Sequence, residues 1–262
     1  MSELSLLEEN RDGIAWLTLN RPDDMNAISL EMLSLFETYL TRIAVDDSVR
    51  VLVITGNGPA FCAGVDLKQV LDSLDTPPGE PDFIDRFSAN VVKPLREFPK
   101  PVIAALNGTT MAGGLELAMC ADLVIAAKSA RIGDAHANFG VYPGAGGAAV
   151  LPRIIPHNVA KYLLLTGKTL SAEEMHNYGF VNEVVLDDDL EESAQSLALH
   201  IAAKSPIALH RMKLVANGAA DKSRDDALFH EMYEFRKHQR SWDMQEGLAA
   251  FAEKRKPEFR GR

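Results

Sequence analysis

Three short apolar runs, residues 50–55, 102–106 and 123–127, constrain this chain more than any other feature. They are apolar at successive positions instead of alternate ones, as in strands buried on both faces. Helical patterns separate them, one over residues 83–97 and one opening at Gly113 or Gly114. Strands that alternate with helices place the chain in the α/β class. Upstream, residues 13–20 alternate apolar with small or polar side chains and read as a further strand, which Pro22 ends. Ser29 then opens an amphipathic helix to about Ile43, with Leu30, Leu33, Phe36, Leu40 and Ile43 on its apolar face.

Two of the buried runs lead into small-residue turns, and these carry the chemistry. After residues 50–55 come Phe61-Cys62-Ala63-Gly64-Val65-Asp66-Leu67-Lys68. After residues 102–106 come Asn107-Gly108 and then Ala112-Gly113-Gly114-Leu115-Glu116-Leu117. In each turn a backbone N–H, that of Val65 and that of Gly113, is free to point at a ligand. Together they describe a two-donor cradle for a carbonyl oxygen, which suits a thioester whose oxygen must accept negative charge. Each turn also fits ordinary packing: Asp66 is a natural N-cap for a helix beginning at Leu67, and a glycine pair brings helix and sheet close.

Glu116 follows Gly113 by three positions and falls on nearly the same side of the first helical turn. Its neighbours Leu115, Leu117, Ala118 and Met119 would desolvate its carboxylate, making it a better base near neutral pH. A first-turn glutamate also serves as a plain partner for the helix dipole. Residues 132–147 are loop-rich, with Asp134, His136, Asn138 and Tyr142 as polar members. His136 titrates near neutrality and is able to give or take a proton, or to act only as a hydrogen-bonded structural residue. Gly144-Ala145-Gly146-Gly147 lacks the Lys-Ser or Lys-Thr of a phosphate loop. The spacing of His157, His176 and His210 fits no metal site.

The net charge of −10 disfavours nucleic acid, since phosphate backbones reward a basic face. Against that acidic background Lys254, Arg255 and Lys256, close to Phe251, form a local positive cluster that suits a phosphate-bearing small molecule or simply ends a solvated helix. Cys62 and Cys120 read as small buried hydrophobes in a reducing compartment, not as a disulfide. Residues 1–10 show no signal-peptide core and no stretch reaches the length of a membrane span, so a soluble, cytoplasmic protein is expected. Residues 73–82 carry three prolines and a glycine and read as a mobile surface loop. From Asp187 onward only helical spacing is found, over residues 202–219, 225–239 and 243–254. Such a tail either caps its own core or, the favoured reading, packs against another subunit.

With these residues in hand the chain resembles, end to end, the enoyl-CoA hydratase/isomerase (crotonase) superfamily. The resemblance runs through Leu19-Asn20-Arg21-Pro22, Asn26-Ala27, the two turns, Cys120-Ala121-Asp122, Pro143 to Gly147, Leu165-Thr166-Gly167 and Gly247 to Phe259. It implies a spiral of ββα turns over residues 1–200, holding the acyl-CoA site, and an all-helical C-terminal trimerisation region over residues 201–262. It implies that Val65 and Gly113 form the oxyanion hole and that Glu116 activates water. It further implies that Ala63, Asp66 and Lys68 line the substrate and CoA site. Phe251 and Lys254 would contact CoA from a neighbouring subunit in a homotrimer or a dimer of trimers. No cofactor beyond the coenzyme A moiety of the substrate is implied.

Two positions depart from the family pattern. Where hydratases carry a second glutamate, twenty positions after the first, this chain has His136. Asp23 stands where many members carry a lysine near the CoA phosphates. The expected reaction is reversible hydration of a 2-enoyl-CoA to a 3-hydroxyacyl-CoA, with His136 supplying or orienting the α-proton. The alternative is retro-Claisen C–C bond hydrolysis, or other enolate chemistry, with His136 as base. Single-carboxylate isomerases place their acid where His136 stands, which disfavours that activity. A binding paralogue with little catalysis is a third reading, opposed by retention of Glu116 and both turns.

Overall fold

The computed structural model describes residues 4–262, so the first three residues of the acidic N-terminal segment lie outside the described residues. A hairpin opens the fold: β1 (Leu6–Arg11) pairs antiparallel with β2 (Ile14–Leu19) across Asp12 and Gly13, both at positive φ. Only the second strand follows from the apolar pattern. The first, Leu-Leu-Glu-Glu-Asn-Arg, is a polar edge strand, and the Asp-Gly pair is the signal that marks it. Helix α1 (Leu30–Val45) follows, its first turn capped by the Ser29 side chain.

The chain then winds in repeated turns, each giving one strand to a large sheet and one to a small sheet. The first turn is β3 (Val51–Gly56), β4 (Ala60–Cys62) and α2 (Leu67–Asp72). A helical excursion follows, α3 (Phe83–Phe87) and α4 (Lys93–Arg96) joined by a π-helical turn at Ser88–Val92. The second turn is β5 (Val102–Leu106), β6 (Thr109–Met111) and α5 (Gly113–Ala118). The third contains β7 (Leu123–Ala127), β8 (Arg131–Gly133) and a 3-10 turn at His136–Phe139. Short helices α6 (Leu151–Ile154) and α7 (His157–Thr166), strand β9 (Leu170–Ser171), α8 (Ala172–Asn177) and β10 (Glu183–Val185) complete it. The large sheet has the order β1-β2-β3-β5-β7-β10 and the small one β4-β6-β8-β9. The ββα spiral expected from the sequence is the architecture found.

Burial explains the continuous apolar runs. Along the central strands one set of side chains, among them Leu17, Leu52, Ile54, Ala104 and Val124, faces the main core with Phe36 and Phe61. The alternate set, among them Trp16, Val51, Val53, Ile103 and Ile125, packs beneath α9 (Leu190–Ala202) against Leu190, Ala194 and Ala198. Both faces of the central strands are therefore dry.

The tail is helical as expected, but its first long helix restarts at Ser205, which caps α10 (Pro206–Ala219). A proline is favoured at the first helical position because its missing N–H is not needed there. Helices α11 (Arg224–His238) and α12 (Trp242–Glu253) follow. Ala250 is the only apolar side chain that α10, α11 and α12 bury, while Leu228, Phe229, Met232, Tyr233, Leu248 and Phe251 are exposed. Residues 76–82 are irregular, whereas Ser73–Asp75 form a 3-10 turn and Asp82 begins α3 with a reciprocal capping box to Asp85. No helix among the described residues is long and apolar enough to cross a membrane.

Candidate active site

The two small-residue turns meet. A Cβ built on Gly113 would lie 3.3 Å from the Val65 nitrogen, and one on Gly64 would lie 3.2 Å from the Ala112 Cβ. Gly64 has φ 128° and Ala112 has φ 48°, so each free N–H follows a residue in a sparsely populated backbone region. Around Val65, the Ile28 N–H donates to the Gly64 carbonyl and the Asp66 N–H to the Ile28 carbonyl, each at 2.9 Å. That bridge leaves the Val65 N–H outside the ladder. Gly113 is the first residue of α5, whose opening N–H groups have no partner within the helix. Among the described residues nothing accepts from either N–H.

Two asparagines brace the first turn. Buried Asn26 donates to the carbonyls of Asn57 at 2.9 Å and Ala60 at 2.7 Å, and accepts the Arg21 N–H at 2.8 Å. Asn107 donates to the Gly58 and Ala60 carbonyls and accepts the Gly56 N–H. The sequence contains both residues within its motifs, but nothing local discloses that they clamp the same loop.

Glu116 sits on the first turn of α5 and is buried. Its Oε1 accepts the Ala145 N–H at 2.8 Å and the Gly147 N–H at 2.9 Å. The glycine-rich segment that fails as a phosphate loop is thus an anion cradle for the protein's own carboxylate. Oε2 accepts no hydrogen bond among the described residues, which leaves it for a ligand. Burial pushes the Glu116 pKa above its ordinary value, and the two N–H donors only partly oppose that.

His136 is buried next to Asp134: its Nδ1 lies 3.0 Å from Asp134 Oδ1, and its backbone N–H donates to the same oxygen at 3.4 Å. Burial disfavours the imidazolium, but the hydrogen bond and charge of Asp134, with the charge of Glu116, outweigh it and raise the His136 pKa. Ala135, at φ 58°, turns the chain just before the ring. The group therefore combines two free N–H donors, a carboxylate with one oxygen fixed and one free, and an imidazole held by a carboxylate. It is equipped to stabilise an oxyanion and to exchange protons.

The other expected residues divide. Ala63 and Asp66 are in the first turn, and Asp66 caps α2 while pairing with Arg21 at 3.0 Å. Lys68 is exposed on α2. Phe251 and Lys254 are exposed on and just beyond α12, and no hydrogen bond among the described residues links them to residues 60–68. Of the basic cluster, Arg255 is not free for a phosphate, because Glu246 and Glu253 bind its guanidinium. Asp23 lies in a short 3-10 turn, Pro22–Asp24. Both cysteines are free and buried, and burial pushes each thiol up to about 12, which makes them inert packing groups.

A family model described as enoyl-CoA hydratase/isomerase matches residues 9–262. The chain is 38% identical over 260 residues to 1,2-epoxyphenylacetyl-CoA isomerase of Escherichia coli (strain K12), covering 98% of each chain. It is 35% identical over 262 residues to 2,3-dehydroadipyl-CoA hydratase of the same organism, covering 100% of each. Its fold matches the crystal structure of an enoyl-CoA hydratase from Bacillus anthracis with a TM-score of 0.92 at 34% identity, covering 98% of this chain and 100% of that one.

Proposed function

The chain belongs to the enoyl-CoA hydratase/isomerase (crotonase) family of acyl-CoA enzymes, and from that premise we propose that it hydrates a 2-enoyl-CoA reversibly to a 3-hydroxyacyl-CoA. The observation that carries this reading is the state of Glu116, with Oε1 anchored by two N–H groups and Oε2 unbound. Oε2 takes a proton from water as the water oxygen attacks the β-carbon. The electron pair of the double bond moves through the conjugated system to the thioester oxygen. The N–H groups of Val65 and Gly113 hold that oxygen as it becomes an enolate. Collapse of the enolate takes a proton at the α-carbon from the His136 imidazolium. Dehydration runs the same steps backwards.

Coenzyme A arrives with the substrate, and the scheme uses no resident cofactor. Ala63, Asp66 and Lys68 line the entrance in this reading. Phe251 and Lys254 serve a neighbouring copy's site within a trimer or a dimer of trimers, built through residues 201–262 on the spiral core of residues 1–200. The exposed apolar side chains of α11 and α12 support that assembly.

The test is a panel of short, branched and aromatic 2-enoyl-CoA esters, followed by loss of the conjugated thioester absorbance and by product mass. Gain of one water, reduced about 100-fold or more in Glu116→Gln with ester binding retained, is the expected result. Binding lost in step with turnover would remove Glu116 from the role of base. A shortened acid or free CoA as product would replace hydration by C–C or thioester hydrolysis, the reading in which His136 is the base.

A further inference from the structure

Asp134 is one of the few fully buried charged side chains among the described residues, and none of the steps above uses it. Its Oδ1 meets both the ring nitrogen Nδ1 and the backbone N–H of His136. Its Oδ2 is buried with no hydrogen-bond partner among the described residues. A buried carboxylate with an unmatched oxygen is costly unless an opposite charge lies against it. The adjacent His136 ring supplies such a charge when protonated at both nitrogens.

Gly147 brings this pair against the base. A Cβ on Gly147 would lie 2.5 Å from Asp134 Oδ2, while the Gly147 N–H holds Glu116 Oε1 at 2.9 Å. Any side chain there would separate the two carboxylates' supports. The charges acting on the His136 ring are thus Asp134, in the loop before it, and Glu116 on α5.

We propose that Asp134 is a positioning residue that fixes both the tautomer and the charge of His136, keeping a proton on Nδ1 so that Nε2 is the nitrogen that exchanges one. The inference rests on the reading of His136 as proton donor, but its first test does not. In the substitution of a glutamate by a histidine, a carboxylic acid that is neutral when it carries its proton is replaced by a ring that is cationic when it does. Asp134 returns that ring–carboxylate unit to overall neutrality. After the ring gives up its Nε2 proton, the Nδ1–H remains hydrogen-bonded to Asp134, and solvent or the reverse reaction restores Nε2.

The experiment is a 15N NMR titration of the histidine rings in the full-length protein without substrate, with His136 assigned from a His136→Gln sample. The neutral ring is expected to carry its proton on Nδ1. Asp134→Asn is expected to lower the titration midpoint by about one pH unit or more, because an opposite charge has been removed from contact. A neutral wild-type ring protonated on Nε2, or an unchanged midpoint in Asp134→Asn, would overturn the proposal. If Asp134→Asn does not fold, the wild-type tautomer decides alone. The alkaline limb of kcat/KM is the second readout and should move down in Asp134→Asn with the midpoint. A midpoint that moves while that limb stays fixed supports Asp134 as the holder of the ring and removes His136 from the reaction.

Discussion

Gly147 donates its N–H to Glu116 Oε1 at 2.9 Å, tying the first turn of α5 to a loop 31 residues further along the chain. With the Ala145 N–H it fixes one carboxylate oxygen, while the other accepts no hydrogen bond among the described residues. In its proposed role as base, a carboxylate held in this way loses little conformational freedom when substrate binds.

The pH dependence follows from two displaced groups. In the proposed hydration Glu116 works as the anion, and its pKa is raised by burial, so kcat/KM should rise with pH through a value above the ordinary carboxylate figure of about 4.3. In the same proposal His136 works as the cation, and its pKa is also raised, so activity should fall again only above the ordinary imidazole figure of about 6.5. His136→Gln should abolish the alkaline limb; a limb that survives would assign it to another group. The stability arising from the raised His136 value is fully present below about pH 6.5 and is lost as pH rises through the folded value.

Gly114 tests the close approach of α5 to the first turn. A Cβ there would lie 2.1 Å from the Cys62 carbonyl oxygen and 2.8 Å from the Cys62 Cβ. Backbone and a fully buried side chain have nowhere to move, so Gly114→Ala should destabilise the protein by about 3 kcal/mol or more and lower Tm by roughly 6 °C or more. Thermal unfolding checks this, with Gly247→Ala on α12 as the control, where the backbone is not at positive φ and a Cβ would meet nothing nearer than the Phe259 ring at 3.6 Å. Equal Tm values for the two variants would refute the steric argument.

Asp243 secures the C-terminal tail. This buried carboxylate accepts from the Ser205 hydroxyl at 2.6 Å and from the N–H groups of Arg260 at 2.7 Å and Gly261 at 3.1 Å. Its own N–H donates to the Arg262 carbonyl at 3.1 Å. Asp243→Ala strands several donors and should cost about 1–3 kcal/mol. Limited trypsin digestion should then cut after Arg255 and Arg260 faster than in the wild type; an unchanged rate would show that the tail is held by other contacts.

The exposed face of α11 predicts an assembly. Phe229 and Tyr233 are one helical turn apart and 76% and 53% exposed. Native mass measurement should give a multiple of three copies, and Phe229→Glu combined with Tyr233→Glu should shift the mass toward a single chain. A wild-type protein that is monomeric at micromolar concentration would exclude this use of the helices.

The sequence by itself determined the elements with strong local patterns. The continuous apolar runs at β3, β5 and β7 required a sheet covered on both faces, and Ser29 and Asp66 marked helix starts where their side chains do cap. The small-residue turns and the apolar setting of Glu116 were equally local, because burial and backbone freedom are written in residues next to one another. The polar edge strand β1 escaped that reading, since its pairing with β2 compensates for its lack of apolar pattern. What only the tertiary structure decided were the partners. It brought Ala145 and Gly147 to Glu116, Asn26 and Asn107 to one loop, Glu246 to Arg255, and the strained Ala112 to the turn at Gly64. A hydrogen bond needs its atoms within about 3 Å, and over tens of residues that proximity is set by strand order and packing, not by the spacing of residues along the chain.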